Sequence, residues 1–205
     1  MNADLHITGD ADADALLSTD PFALLLGMLL DQQVPMETAF AGPAKLLERL
    51  GDAGSGNKPA KSLDVKQIAD FDVDELEALF RITPSIHRYP GSMAGRAQAL
   101  AASIVEKWNG DTTAIWTSPG DDGNAPDGAE ILTRLKALPG FGEQKAKIFL
   151  ALLGKQYGLK ADGWRAAAGD YGLEGSHRSV ADIVDPESLT KVREFKKAAK
   201  AAAKK

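Results

Sequence analysis

The segment with the most specific chemical content is 130–162. An amphipathic stretch with Ile131, Leu132 and Leu135 on one side leads into Leu138-Pro139-Gly140-Phe141-Gly142, and a second apolar stretch carries Ala146, Ile148, Phe149, Leu152 and Leu153 to Gly154. This order predicts helix, tight glycine turn, helix. The two glycines permit a sharp turn and a close backbone approach, and the second helix presents at that turn the N–H groups that no preceding carbonyl satisfies. Such a helix end attracts an anion. With Lys145 and Lys147 nearby, the guest that fits is a phosphate of a nucleic-acid backbone, bound without reading its sequence. Two other interpretations compete. A dinucleotide-binding loop fails, because the third glycine is missing, Lys145 stands there instead, and the preceding segment is helical where a strand is needed. An ordinary helix–helix connection, in which the glycines only turn the chain, also fits these five residues.

A second polar feature interrupts the most apolar part of the chain. Asp20-Pro21 combines an N-cap with proline at the first helical position. The run from Phe22 through Leu30 is apolar on every side, which predicts a central buried helix. It stops at Asp31-Gln32-Gln33-Val34-Pro35, a polar turn inside hydrophobic sequence. The Asp-rich stretch 121–130 does not make a calcium loop: counted from Asp122, position six is Asp127 and position twelve is Thr133, where glycine and glutamate are required. A solvated loop is expected there. His6, His87 and His177 are isolated from one another and from any nucleophile pattern, and none is assigned a role.

Around these features apolar residues recur at helical spacing and no segment alternates as a half-buried strand, so the fold class is all-α. Further helices are expected over 42–50, 72–80 and 93–108, with loops over 52–62, 84–92 and 118–128. Asp185-Pro186-Glu187 should start a last helix that frays outward. The chain has 205 residues, 44% of them hydrophobic, enough for one domain or two small lobes. Its 24 Lys and Arg against 29 Asp and Glu give a net charge of −5, which alone speaks weakly against nucleic acid. The segment 191–205, however, holds seven positive residues and one Glu, a local +6 that leaves −11 on the remainder. An acidic body thus carries a basic tail, either a salt-sensitive DNA contact or a solvated helix end. The absence of cysteine excludes disulfides, thiolate nucleophiles, cysteine zinc sites and thiolate-ligated iron–sulfur clusters. The first 20 residues hold five Asp and no Lys or Arg, without signal-peptide character, and no apolar run is long enough to span a bilayer. A soluble, cytoplasmic protein is expected.

Leu138-Pro139-Gly140-Phe141-Gly142-Glu143-Gln144-Lys145-Ala146 resembles the helix-hairpin-helix of the HhH-GPD superfamily, the base-excision DNA glycosylases that include endonuclease III and the adenine-mismatch and alkyl-base glycosylases. Endonuclease III-like members place an essential aspartate at a fixed interval beyond their lysine position; that position here is Gln144, and the same interval ends without a gap on Asp162. Leu29-Leu30-Asp31-Gln32-Gln33 is similar to the family's early Leu-Leu-x-x-Gln segment, which aligns Gln33 with a glutamine that enters the DNA stack near the extruded base. The helix over 93–108, preceded by Tyr89, resembles the family's middle helix, so the resemblance covers roughly residues 15–170.

The resemblance implies two helical lobes with a cleft between them: a single unit over 1–190, with a middle lobe over 30–137 and the hairpin and catalytic aspartate over 129–170, followed by the basic tail 191–205. It implies base excision repair by hydrolysis of the N-glycosidic bond of a flipped base, whose extrusion costs roughly a few kcal/mol. Asp162 would stabilise the positive charge that develops on the sugar, from a partly desolvated cleft; as a residue type it suits a helix N-cap equally well. Leu138, Gly140, Phe141, Gly142, Lys145 and Gln33 would contact DNA. Gln144 replaces the Schiff-base lysine of bifunctional members, and the helical rotation of about 100° per residue turns Lys145 elsewhere, so no β-lyase activity is expected. The resemblance gives no side-chain metal and, without cysteine, no iron–sulfur cluster; it leaves room for a monovalent cation at the hairpin backbone. Trp116, Trp164, Tyr89 and Phe141 could stack on a base, but core is expected for each. The implied partner is double-stranded DNA with a damaged or mismatched base, bound by a nucleoid-associated monomer. The alternative is a catalytically inactive DNA-binding protein of the same type.

Overall fold

The computed structural model describes residues 3–53 and 61–202, and within them every regular element is helical. In chain order these are α1 (Ala11–Thr19), α2 (Pro21–Leu30), α3 (Met36–Phe40), α4 (Gly42–Ala53), α5 (Val65–Asp70), α6 (Val73–Arg81), α7 (Pro90–Trp108), α8 (Ala114–Thr117), α9 (Gly128–Lys136), α10 (Glu143–Gln156), α11 (Trp164–Ala168) and α12 (Pro186–Ala202). Two short 3-10 turns, Gly169–Gly172 and Val180–Asp182, lie between α11 and α12. Much of the acidic character goes into starting helices. Asp10, Asp20, Asp64, Asp72 and Asp127 each accept a backbone N–H as N-cap of α1, α2, α5, α6 and α9, and Asp185 accepts from Ser188 N at 2.7 Å at the start of α12.

The organising element is α2. Asp20 Oδ1 accepts from Phe22 N (2.9 Å) and Ala23 N (3.1 Å), while Oδ2 accepts from Leu63 N (2.7 Å) and so fixes the chain entering α5. Burial raises the Asp20 pKa against the pull of these three bonds. Phe22, Leu24, Leu25, Leu26, Met28, Leu29 and Leu30 are all buried, at about 2 kcal/mol each for side chains of this size. A helix buried on every side needs partners on every side, and α2 packs against α1, α3, α4, α7 and α10. α5 and α6 pack along α7, whereas α10 carries α9, α11 and both 3-10 turns.

Several boundaries differ from expectation for identifiable reasons. α1, α3, α5 and α8 are too short or too polar to show a clear period. α8 packs on α9, where Arg134 Nη1 donates to Ile115 O (3.2 Å) and Ser118 O (2.8 Å). Most of the loop expected over 52–62 lies outside the described residues. The basic segment continues α12, which starts at Pro186 as expected and runs to Ala202 with Leu189 and Val192 buried, and residues 203–205 lie outside the described residues.

Candidate nucleic-acid interface

The glycine turn joins α9 to α10 as the spacing predicts. Gly140 has φ +79°, and a Cβ there would run into Leu29 Cδ1, so the hairpin needs glycine both to turn and to approach α2. Gly142 stands at the cap of α10 with no side-chain bond to the helix, and a Cβ added to it would meet nothing within 4 Å. The N–H groups of Glu143 and Gln144 have no partner among the described residues. The side chains of Leu138 and Phe141, two of the expected DNA-contact residues, are buried, as core packing was expected for the Phe141 ring, which meets Phe149 edge-on at 6.1 Å between ring centroids. What the hairpin offers outward is backbone together with the side chains of Glu143 and Gln144.

The two lysines read as phosphate partners are both engaged within the chain. Lys147 Nζ lies 2.7 Å from Glu143 Oε1, a contact that holds the Glu143 carboxyl below its usual pKa. Lys145 Nζ donates to Met28 O (2.8 Å) and Leu29 O (2.6 Å), the carbonyls that α2 leaves open at its C-terminal end. Burial pushes its pKa down to about 8. In the free chain Lys145 therefore clasps the hairpin to the end of α2, a role the sequence did not suggest beside its expected contact to DNA.

Just beyond that clasp lies the polar turn. Gln33 is exposed and has φ 59°, a left-handed conformation that glutamine seldom adopts. Its neighbour Gln32 is fixed from two sides: its Nε2 donates to Leu29 O (2.8 Å) and its Oε1 accepts from Arg96 Nη1 (3.0 Å). His87 is buried; Tyr89 N donates to Nδ1 (3.1 Å), so Nε2 carries the proton and donates to Gln32 O (2.9 Å). Gln33, His87, Tyr89, Met93 and Arg96 line a cleft of about 320 Å³. From the other side α12 reaches the same region, with Lys196 Nζ 3.4 Å from Asp31 Oδ2 and Arg193 Nε paired with Glu37 Oε1. The structure thus brings together the hairpin and the polar turn. His87 and Arg96 carried no role in the sequence, where the one signal was that they flank the start of α7, whereas Arg193 and Lys196 belong to the basic segment already read there as either a DNA contact or a solvated helix end.

Asp162 is placed differently. Its carbonyl accepts from Gly128 N (2.7 Å) at the start of α9, and the following Trp164 ring lies on Gly154, where a Cβ would strike it. Gly154 is ten residues along α10 from Gln144, about 15 Å of helix rise. The Asp162 residue is exposed and its carboxylate has no hydrogen-bond partner among the described residues. It is not an N-cap either, because left-handed Gly163 (φ 70°) holds that position of α11. Among the described residues nothing encloses Asp162, where the resemblance implied a partly desolvated cleft. Gln144 donates to Tyr171 Oη at 2.9 Å. A cation on the hairpin backbone would rely on carbonyls of residues 138–141, of which that of Leu138 already accepts from Phe141 N (3.1 Å).

Compared with known proteins, the chain matches no family model, no curated protein and no solved structure.

Proposed function

We propose that the chain, with the two-lobed HhH-GPD architecture, binds duplex DNA carrying a damaged or mismatched base and hydrolyses the N-glycosidic bond of the extruded base. The observation that supports this best is the docking of the hairpin on the end of α2 through Gly140 and Lys145. It sets a helix N-terminus suited to phosphate beside an exposed glutamine in a strained conformation, and such strain concentrates at functional positions. Gln33 would enter the space an extruded base leaves. Asp162 would act on the sugar once bound DNA excludes water from its carboxylate, which fixed charge requires to be effective. The chemistry is hydrolytic: Gln144 has no nucleophilic amine, and that of Lys145 is engaged by two carbonyls. Strand nicking trapped by borohydride at Lys145 would overturn this.

One observation favours a second function, a DNA-binding protein without catalysis: Asp162 is exposed and without a partner among the described residues. A base-release panel on damaged and mismatched duplexes, run on the wild type and Asp162→Asn, separates the two. Release by the wild type that falls at least a hundredfold in the variant supports hydrolysis. Tight duplex binding with no release from any substrate supports the binder, and failure to bind any duplex at low salt rejects both.

A further inference from the structure

The basic residues of α12 form a stripe. Arg193, Lys196, Lys197 and Lys200 follow the spacing i, i+3, i+4, i+7 and so share one face of the helix. The first two fix where that face lies, since Arg193 pairs with Glu37 and Lys196 reaches Asp31 at 3.4 Å. Both carboxylates flank the turn that carries Gln33. Lys197 and Lys200 are each one turn beyond an anchored residue, are exposed, and have no carboxylate partner among the described residues.

From this placement we infer that the C-terminal half of α12 is a second phosphate grip, contacting the DNA backbone beside the site occupied by Gln33. The inference rests on the DNA-binding function proposed above. Arg193 to Lys200 spans about 10 Å of helix rise, room for contacts to neighbouring phosphates of one strand. The partner is DNA and not an anionic membrane, because the apolar surface that α12 exposes consists of alanines and a single large side chain, Phe195, too little to anchor the helix in a bilayer. Leu189 and Val192 are buried in the body, and the Arg178 guanidinium lies over the Phe195 ring at 5.5 Å. The acidic body explains why such a grip is needed: the hairpin supplies backbone N–H groups, and its two lysines are already engaged.

The test compares the salt dependence of duplex binding in the full chain, in Lys197→Gln/Lys200→Gln, and in Lys66→Gln/Lys107→Gln, which removes the same charge at the far end of α7. Each phosphate contact contributes a slope of about 0.9 in log Kd against log salt, so the first pair should lower the slope by about 1.8 and the second should leave it unchanged. All four lysines are exposed, so unchanged thermal unfolding verifies the fold of both variants. Equal slopes in all three proteins, or an equal fall in both variants, overturn the grip while leaving DNA binding intact. If the wild type binds no duplex at low salt but binds anionic vesicles, both the grip and the proposed function fall.

Discussion

Gly140→Ala probes the contact between the hairpin and α2. Two costs arise at one atom. Alanine in a left-handed conformation costs about 1 kcal/mol, and the new methyl must displace Leu29 Cδ1, which belongs to a fully buried side chain. Overpacking of that kind costs about 1–3 kcal/mol, so the loss of stability should be about 2–4 kcal/mol. For a chain of this size that lowers Tm by roughly 10 °C. Leu29→Ala alone should cost about 2–5 kcal/mol through the cavity it leaves. In the double variant the added methyl occupies part of that cavity, the steric cost disappears and only the backbone strain remains. The two changes should therefore be non-additive by about 1–3 kcal/mol in the stabilising direction. Urea unfolding of the four proteins measures this cycle. A loss in Gly140→Ala no larger than that of an ordinary surface substitution, about 0.5 kcal/mol, or strict additivity, would show that the hairpin does not press on α2 as described.

Two other features give predictions of different kinds. Lys145 has a folded-state pKa near 8, so between pH 8 and about 10.5 the unfolded chain still holds a proton that the folded chain has released; stability should rise with pH in that window by up to about 3 kcal/mol relative to Lys145→Met. Urea midpoints of the two proteins measured from pH 7 to 10.5 check this, and parallel curves would contradict it. Asp182 is buried and accepts from Lys155 Nζ (2.5 Å), Ser176 Oγ (2.9 Å), Arg178 N (2.8 Å) and Ser179 N (3.1 Å), holding the chain between α11 and α12. Asp182→Ala strands the Lys155 ammonium and should cost about 3–5 kcal/mol in thermal unfolding, much of it recovered in Lys155→Met/Asp182→Leu; a loss under about 1 kcal/mol in the single variant would count against the pair.

What could be read from the sequence was what is encoded locally. α2 announces itself through Asp20-Pro21 and an unbroken apolar run, the hairpin through its glycine turn, in which Gly140 is the position that needs glycine, and α12 through Asp185-Pro186. Lys145 could not be read in the same way. A lysine in the first turn of a helix looks solvated, and nothing local says that its amine meets a carbonyl 116 residues away. The same holds for the basic end of α12, whose charges look free until Asp31 and Glu37 are seen opposite them.

Asp162 shows the limit of spacing as a guide to chemistry. The interval from Gln144 to Asp162 is a distance along the chain, whereas a carboxylate's effect on a developing charge depends on its distance in space and on the water around it. Those are set by residues outside the motif. Gly128 brings the start of α9 against the backbone of Gly163 and Trp164, and Gly154 admits the Trp164 ring onto α10. Both close approaches hold the Asp162 segment at the open end of the hairpin, away from the glycine turn. In the free protein the glycine turn and the carboxylate are therefore separate features of one helical hairpin. Only a ligand long enough to lie along the hairpin, as a duplex is, can engage the two at once.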